Sequence, residues 1–62
     1  MDVSIKAARV DAGFTQAAVA GALKISKSTY ASYEKYITSP DINTAKQIAA
    51  LFGRSVNEIL WG

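Results

Sequence analysis

The most informative stretch of the chain is QAAVAGALKISKSTYASY, which runs from Gln16 to Tyr33. The small residue Ala20 lies where two helices would cross, and Ser26 lies where the second of them would begin. Apolar side chains recur around these two points, at Val19, Leu23, Ile25, Tyr30 and Tyr33. Such spacing packs one helix against the next and leaves one face of the second helix uncovered, so it predicts a helix-turn-helix.

A further helix is expected before this unit, with Asp2 as its N-cap and Gly13, which readily becomes left-handed, at its end. Hydroxyl side chains supply N-caps for both helices of the unit itself. The expected bounds are about Asp2–Ala12 for the first helix, Thr15 as N-cap of the second, and Ser26 to about Lys35 for the third.

Two more helices are expected after the unit, and no segment has the pattern of a strand. The fourth follows Pro40, with Asp41 or Asn43 as its N-cap and Gly53 at its end. The fifth opens with a capping box from Ser55 to Glu58, and its expected buried residues are Val56, Ile59 and Leu60. The prediction is therefore one all-α domain of five helices over residues 1–62.

The composition excludes several classes of protein. Sixty-two residues form one domain at most, and the absence of Cys and His removes disulfides, thiolate metal sites and the commonest general base. Neither catalysis nor a metal or cofactor is therefore expected. The longest apolar run, Ala17 to Leu23, is too short to cross a bilayer, and the N-terminus lacks a secretion signal. A cytoplasmic protein with no membrane partner is expected.

The predicted third helix has two unlike faces. Small, polar and basic residues lie within about 140° of one another around its axis, namely Lys27, Ser28, Ala31, Ser32 and Lys35. Tyr30 and Tyr33 lie on the opposite side, with Glu34 at its edge. Short side chains let a helix approach base edges closely, Lys donates to guanine, and Ser donates or accepts. The face suits DNA contact, although the solvated face of an ordinary helix has a similar composition.

Several motifs together resemble the lambda-repressor-like, Cro/C1-type (XRE) helix-turn-helix family. They are Ala8-Arg9, Gly13-Phe14-Thr15-Gln16, Val19-Ala20, Ile25-Ser26, Tyr33-Glu34, Pro40, Ile48-Ala49 with Leu51, and Ser55 to Leu60. The resemblance implies a five-helix domain that binds double-stranded DNA and regulates transcription, usually as a homodimer on a palindromic operator. Such a chain would be a Cro-like phage protein or the DNA-binding part of a longer repressor.

The resemblance also implies roles for individual residues. The base-reading set is Lys27, Ser28 and Ser32, on the helix that starts at Ser26. Phosphate contacts are implied for Gln16, Thr29 and Lys35, and an internal ion pair for Arg9 and Glu34. In the following loop, Thr38 is a further candidate phosphate contact, although its hydroxyl could equally serve to form a turn.

Two positions depart from the family pattern, since Lys24 and Tyr36 stand where glycine is usual. A left-handed Lys24 costs about 1–2 kcal/mol, which is tolerable. A left-handed Tyr36 is disfavoured, so the loop after the third helix is expected to differ from that of relatives. That loop, Ile37-Thr38-Ser39, carries no charge, which predicts weaker and less salt-dependent DNA binding.

The aromatic residues and the function each allow a second interpretation. Tyr30 and Tyr33 are expected in the core and Tyr36 at the surface, although tyrosines can also stack on single-stranded nucleic acid. Trp61 is either a lid on the core or part of a dimer contact. The competing function is a helix-turn-helix module that binds protein, such as an antitoxin or antirepressor.

Overall fold

The computed structural model describes residues 2–62, and in this range four α-helices surround one core while two short strands pair beside them. The helices are α1 (Ile5–Asp11), α2 (Gln16–Leu23), α3 (Lys27–Glu34) and α4 (Ile42–Leu51). A single 3-10 turn, Val56–Glu58, follows α4. The strands are β1 (Val3–Ser4) and β2 (Ile59–Leu60).

Polar side chains cap the start of every α-helix. Thr15, Ser26 and Asp41 are the N-caps of α2, α3 and α4, as predicted. The prediction for α1 was wrong, because its N-cap is Ser4, whose Oγ accepts from the backbone N–H of Ala7 at 3.0 Å. Strand pairing keeps the chain extended through Ser4, so a helix cannot begin at Asp2.

The predicted fifth helix is not formed as an α-helix. The capping box of Ser55 is present, with the Ser55 backbone N–H donating to Glu58 Oε1 at 2.9 Å, but helical geometry ends after one 3-10 turn. Ile59 then becomes extended and pairs in parallel with Val3. A buried, β-branched Ile59 favours this strand, and the N-terminal segment satisfies its backbone groups. The prediction of five helices and no strand was therefore wrong.

Successive side chains of a strand point to opposite sides, and this explains an error in the predicted core. Ile59 is buried, whereas the neighbouring Leu60, predicted to be buried, is 48% exposed. Every α-helix contributes to the core, which comprises Ile5, Ala8, Val19, Ala20, Tyr30, Ile48, Ala49, Phe52 and Ile59. Trp61 packs against this core and donates from Nε1 to the Val56 carbonyl at 2.8 Å, which supports its role as a lid.

All four helices end in the same hydrogen-bonded turn, the Schellman motif, around one left-handed residue. Gly13 and Gly53 occupy that position after α1 and α4, and Lys24 occupies it after α2, with φ 59°. Tyr36 occupies it after α3, also with φ 59°, so the expectation against a left-handed Tyr36 was wrong. Its hydroxyl donates to the Leu60 carbonyl at 3.0 Å and accepts from the Ile5 N–H at 3.4 Å. These bonds fix the loop to β2 and to the first residue of α1.

Candidate nucleic-acid interface

The residues that α3 buries determine which of its sides faces outward. Tyr30 is completely buried, and its ring packs edge-on against Tyr33 with centroids 6.3 Å apart. Ala20 of α2 is also buried, and its small side chain lets α2 and α3 approach closely. The opposite side of α3 therefore faces outward, with Lys27 and Ser28 exposed on the first turn and Ser32 half-buried one turn later. The structure brings these three predicted residues to one face.

Glu34, the acidic residue of α3, is turned inward and neutralised. Arg9 Nε donates to Glu34 Oε2 at 2.6 Å, and Arg9 Nη2 donates to Oε1 at 3.4 Å. The two side chains are only 12% and 4% exposed. Arg9 also donates from Nη1 to the Phe14 carbonyl at 2.9 Å. The pair implied by the resemblance is thus formed, and it joins α1 to α3.

Gln16, the first residue of α2, completes this cluster. Its Nε2 donates to Glu34 Oε1 at 2.9 Å. A carboxylate accepts only, so this bond fixes which end of the Gln16 amide faces inward. The amide nitrogen has a second proton, which leaves Gln16 one donor for another partner.

The cluster perturbs the titration of its members. Burial opposes ionisation of Glu34, but the hydrogen bonds from Arg9 and Gln16 outweigh it and hold the pKa of Glu34 below its ordinary value. Burial, together with the nearby Glu34 carboxylate, raises the pKa of Tyr30 far above its usual range. The Tyr30 hydroxyl is buried and has no hydrogen-bond partner among the described residues. Glu34 is therefore charged and Tyr30 neutral at pH 7.

Hydroxyl groups form a second network along the outer face, which no sequence motif predicted. Ser26 Oγ donates to Thr29 Oγ1 at 2.8 Å while accepting from the Thr29 N–H at 3.1 Å. Ser32 Oγ donates to the Thr29 carbonyl at 2.7 Å and lies 2.8 Å from Thr38 Oγ1. The network links the start of α3 to the loop beyond its end.

The remaining charges leave this surface basic. Both arginines are paired, Arg9 with Glu34 and Arg54 with Asp11 at 2.8 Å, and the second bridge had no counterpart among the sequence motifs. In residues 2–62, none of the five lysines forms a salt bridge. Three of them flank or belong to α3, namely Lys24, Lys27 and Lys35. Anions are therefore attracted to this side of the domain.

A shallow apolar groove lies on another part of the surface, between α2 and α4. It has a volume of about 420 Å³ and is lined by Ala22, Leu23, Gln47, Ala50 and Leu51. No titratable side chain lines it, so it offers no acid, base or nucleophile. Within residues 2–62, no three or more acidic side chains lie close enough together to bind a metal ion. No helix in this range is long and apolar enough to cross a bilayer.

Comparison with known proteins agrees with this fold. The sequence profile described as helix-turn-helix matches residues 5–59, nearly the whole chain. The chain is 32% identical over 56 residues to the cryptic phage CTXphi transcriptional repressor RstR of Vibrio cholerae. That match covers 90% of this chain and 50% of RstR, so the chain spans about half the length of this relative. No solved structure gives a significant match. The chain belongs to the Cro/C1-type (XRE) helix-turn-helix family.

Proposed function

We propose that this chain is a sequence-specific, double-stranded DNA-binding transcriptional regulator of the repressor type. It reads the major groove with α3, which begins after its N-cap Ser26. One observation carries the proposal: the acidic residue of α3 is buried against Arg9, while the outer face holds Lys27 and two serines. The family membership and the repressor function of RstR support it.

The base-reading residues are Lys27, Ser28 and Ser32. Lysine is suited to the O6 and N7 acceptors of guanine, and the serines are short enough to let the helix backbone approach base edges. Lys27 and Ser28 are exposed and form no side-chain hydrogen bond with other described residues, so nothing in the domain competes with a base for them.

Phosphate contacts are assigned to Gln16, Thr29 and Lys35. Phosphate oxygens accept hydrogen bonds, so each residue must have a proton to donate. Gln16 keeps its second amide proton, and Thr29, which accepts from Ser26, keeps its own hydroxyl proton. Lys35, the C-cap residue of α3, is exposed and has no salt-bridge partner among the described residues. All three therefore meet the requirement. The fourth predicted contact, Thr38, shares a hydrogen bond with Ser32 in which either hydroxyl could be the donor, so its proton is not assigned by this bond alone.

Operator recognition by a homodimer completes the proposal. A two-fold dimer would place two copies of α3 in successive major grooves, about 34 Å apart, and its operator would be palindromic. The protein would act in the cytoplasm, where its DNA lies, with no catalytic activity.

The test is selection of bound sites from random duplex DNA, followed by a salt titration on the selected site. Enrichment of a two-fold-symmetric sequence, with affinity falling as salt rises, is the expected result. Failure to enrich any sequence at low salt would overturn the proposal.

The second candidate function is protein binding, as in an antitoxin or antirepressor. The apolar groove between α2 and α4 favours it, as do the exposed Ile37 and Ile42, which are 71% and 61% exposed. The same titration separates the two functions, because a protein-binding module would show no salt-dependent affinity for duplex DNA.

A further inference from the structure

We infer that Ser32 faces the DNA as a hydrogen-bond acceptor only, and that Thr38 is the positioning residue that holds it there. The inference rests on the proposed function, since it concerns how α3 reads one base. It assigns that base to a chemical class and gives Thr38 a role other than phosphate contact.

The single hydroxyl proton of Ser32 is already used within the helix. Ser32 Oγ lies 2.7 Å from the carbonyl oxygen of Thr29, and a carbonyl only accepts. The proton of Ser32 is therefore used by the Thr29 carbonyl and is not available to a ligand.

The direction of the next bond follows from the first. Ser32 Oγ and Thr38 Oγ1 are 2.8 Å apart, and either atom taken alone has a proton to give. Because the Ser32 proton is committed to Thr29, Thr38 must be the donor. Ser32 is left with one lone pair, and Thr38 has no proton left for a phosphate.

The backbone of the loop holds Thr38 in this position. The N–H groups of Ile37 and Thr38 lie 3.0 and 3.5 Å from the Ser32 carbonyl, which folds the loop back over the last turn of α3. The left-handed Tyr36 makes this reversal, and its hydroxyl bond to the Leu60 carbonyl anchors it. Thr38 is thus held against the last turn of α3. Thr29, by contrast, still has a hydroxyl proton that it can donate to a phosphate.

An acceptor-only group distinguishes bases in the major groove. Adenine N6 and cytosine N4 are donors there, whereas guanine presents O6 and N7 and thymine presents O4, all acceptors. Ser32 therefore favours adenine or cytosine over guanine or thymine on the strand it faces. Lys27, which has only donors, instead favours guanine, which presents the two acceptors O6 and N7. The two residues read complementary chemistry from one helix face.

The test compares site selection by the wild-type chain with selection by Ser32→Ala, Thr38→Val and the double variant. Ser39→Ala is the matched control, because Ser39 is an exposed loop hydroxyl that forms no hydrogen bond with other described residues. Wild type should restrict one position in each half-site to adenine or cytosine on one strand. Ser32→Ala should reduce that discrimination about three- to tenfold, the effect of one hydrogen bond, and leave other positions unchanged.

Thr38→Val should relax the same position by a smaller factor, and the double variant should match Ser32→Ala, because Thr38 acts only through Ser32. Ser39→Ala should behave as wild type. Selection of adenine and guanine together on one strand at the Ser32-dependent position, or of one base pair in both orientations, would overturn the inference, as would a Thr38→Val variant that weakens every site alike, which is the signature of a phosphate contact. A wild-type preference that Ser32→Ala leaves intact would overturn this inference alone. Absence of any wild-type enrichment would overturn the proposed function and this inference together.

Discussion

The two faces of α3 are determined in opposite ways. On the inner face, Tyr30 is fully buried and Glu34 accepts from Arg9 and Gln16, so packing and charge pairing fix each side chain. On the outer face, Lys27 and Ser28 are exposed, and no contact within the domain requires their identity. Inner positions therefore stabilise the fold, whereas outer positions are free to serve the proposed contact with DNA. Inner substitutions should lower stability, whereas outer ones should change binding alone.

The largest expected effect is that of Glu34→Gln on the inner face. The change leaves the guanidinium of Arg9 largely buried beside a neutral amide, which destabilises strongly. We expect a loss of about 3 kcal/mol, the lower end of the range for buried pairs, because Arg9 keeps its bond to the Phe14 carbonyl. Thermal and urea unfolding followed by circular dichroism measure it.

Lys35→Gln is the control. Like Glu34→Gln it replaces one charged residue of the same segment by glutamine, but the side chain of Lys35 is exposed. It should change the free energy of unfolding by less than about 0.5 kcal/mol. Equal, small losses for the two variants would show that the Arg9–Glu34 pair contributes nothing and that the distinction between the faces does not hold.

The Arg9–Glu34 pair also predicts that the free energy of unfolding depends on pH. The contribution of the pair is the difference between wild type and Glu34→Gln. The pKa of Glu34 is lowered on folding from its ordinary value of 4.5, so its stabilisation is fully present above that pH. It is lost as pH falls through the lower folded value, where the carboxylate is protonated. The stability difference between wild type and Glu34→Gln should therefore be constant near pH 7 and shrink below about pH 4.5. A difference independent of pH down to about 2 would contradict it.

The outer face is tested by Lys27→Ala, with Lys6→Ala on α1 as a charge-matched control. Lys27→Ala should relax preference at one base position by about 1–3 kcal/mol and leave the unfolding temperature unchanged. Lys6 lies outside α3, so its removal should leave base preference intact. Gln16→Ala should instead weaken all sites alike, because its remaining proton is assigned to a phosphate. A Lys27→Ala variant with unaltered preference would remove Lys27 from the reading set.

The contrast between the faces also explains which features were predictable from the sequence. The helices and most of the core follow from apolar periodicity, and the Arg9–Glu34 pair follows from the family pattern. Periodicity does not predict that Ile59 pairs with Val3. A strand of two residues is too short to show an alternating pattern, and the two strands lie at opposite ends of the chain. The Ser32–Thr38 bond depends on the left-handed turn at Tyr36, which propensity alone argues against.

The smallest expected effects are at the two left-handed residues that flank α3, Lys24 and Tyr36. Lys24→Gly should stabilise the domain by up to about 1 kcal/mol. Glycine relieves the left-handed strain, and this gain is only partly offset by the greater entropy of the unfolded chain. Tyr36→Gly relieves the same strain but removes the bonds to Leu60 and Ile5, so its net stabilisation should be zero or negative. Urea unfolding of both variants distinguishes the two positions. Equal stabilisation by the two glycines would mean that the Tyr36 hydroxyl anchors nothing. Tyr36→Phe should then also unfold as wild type does, and the loop would no longer be fixed against the outer face of α3.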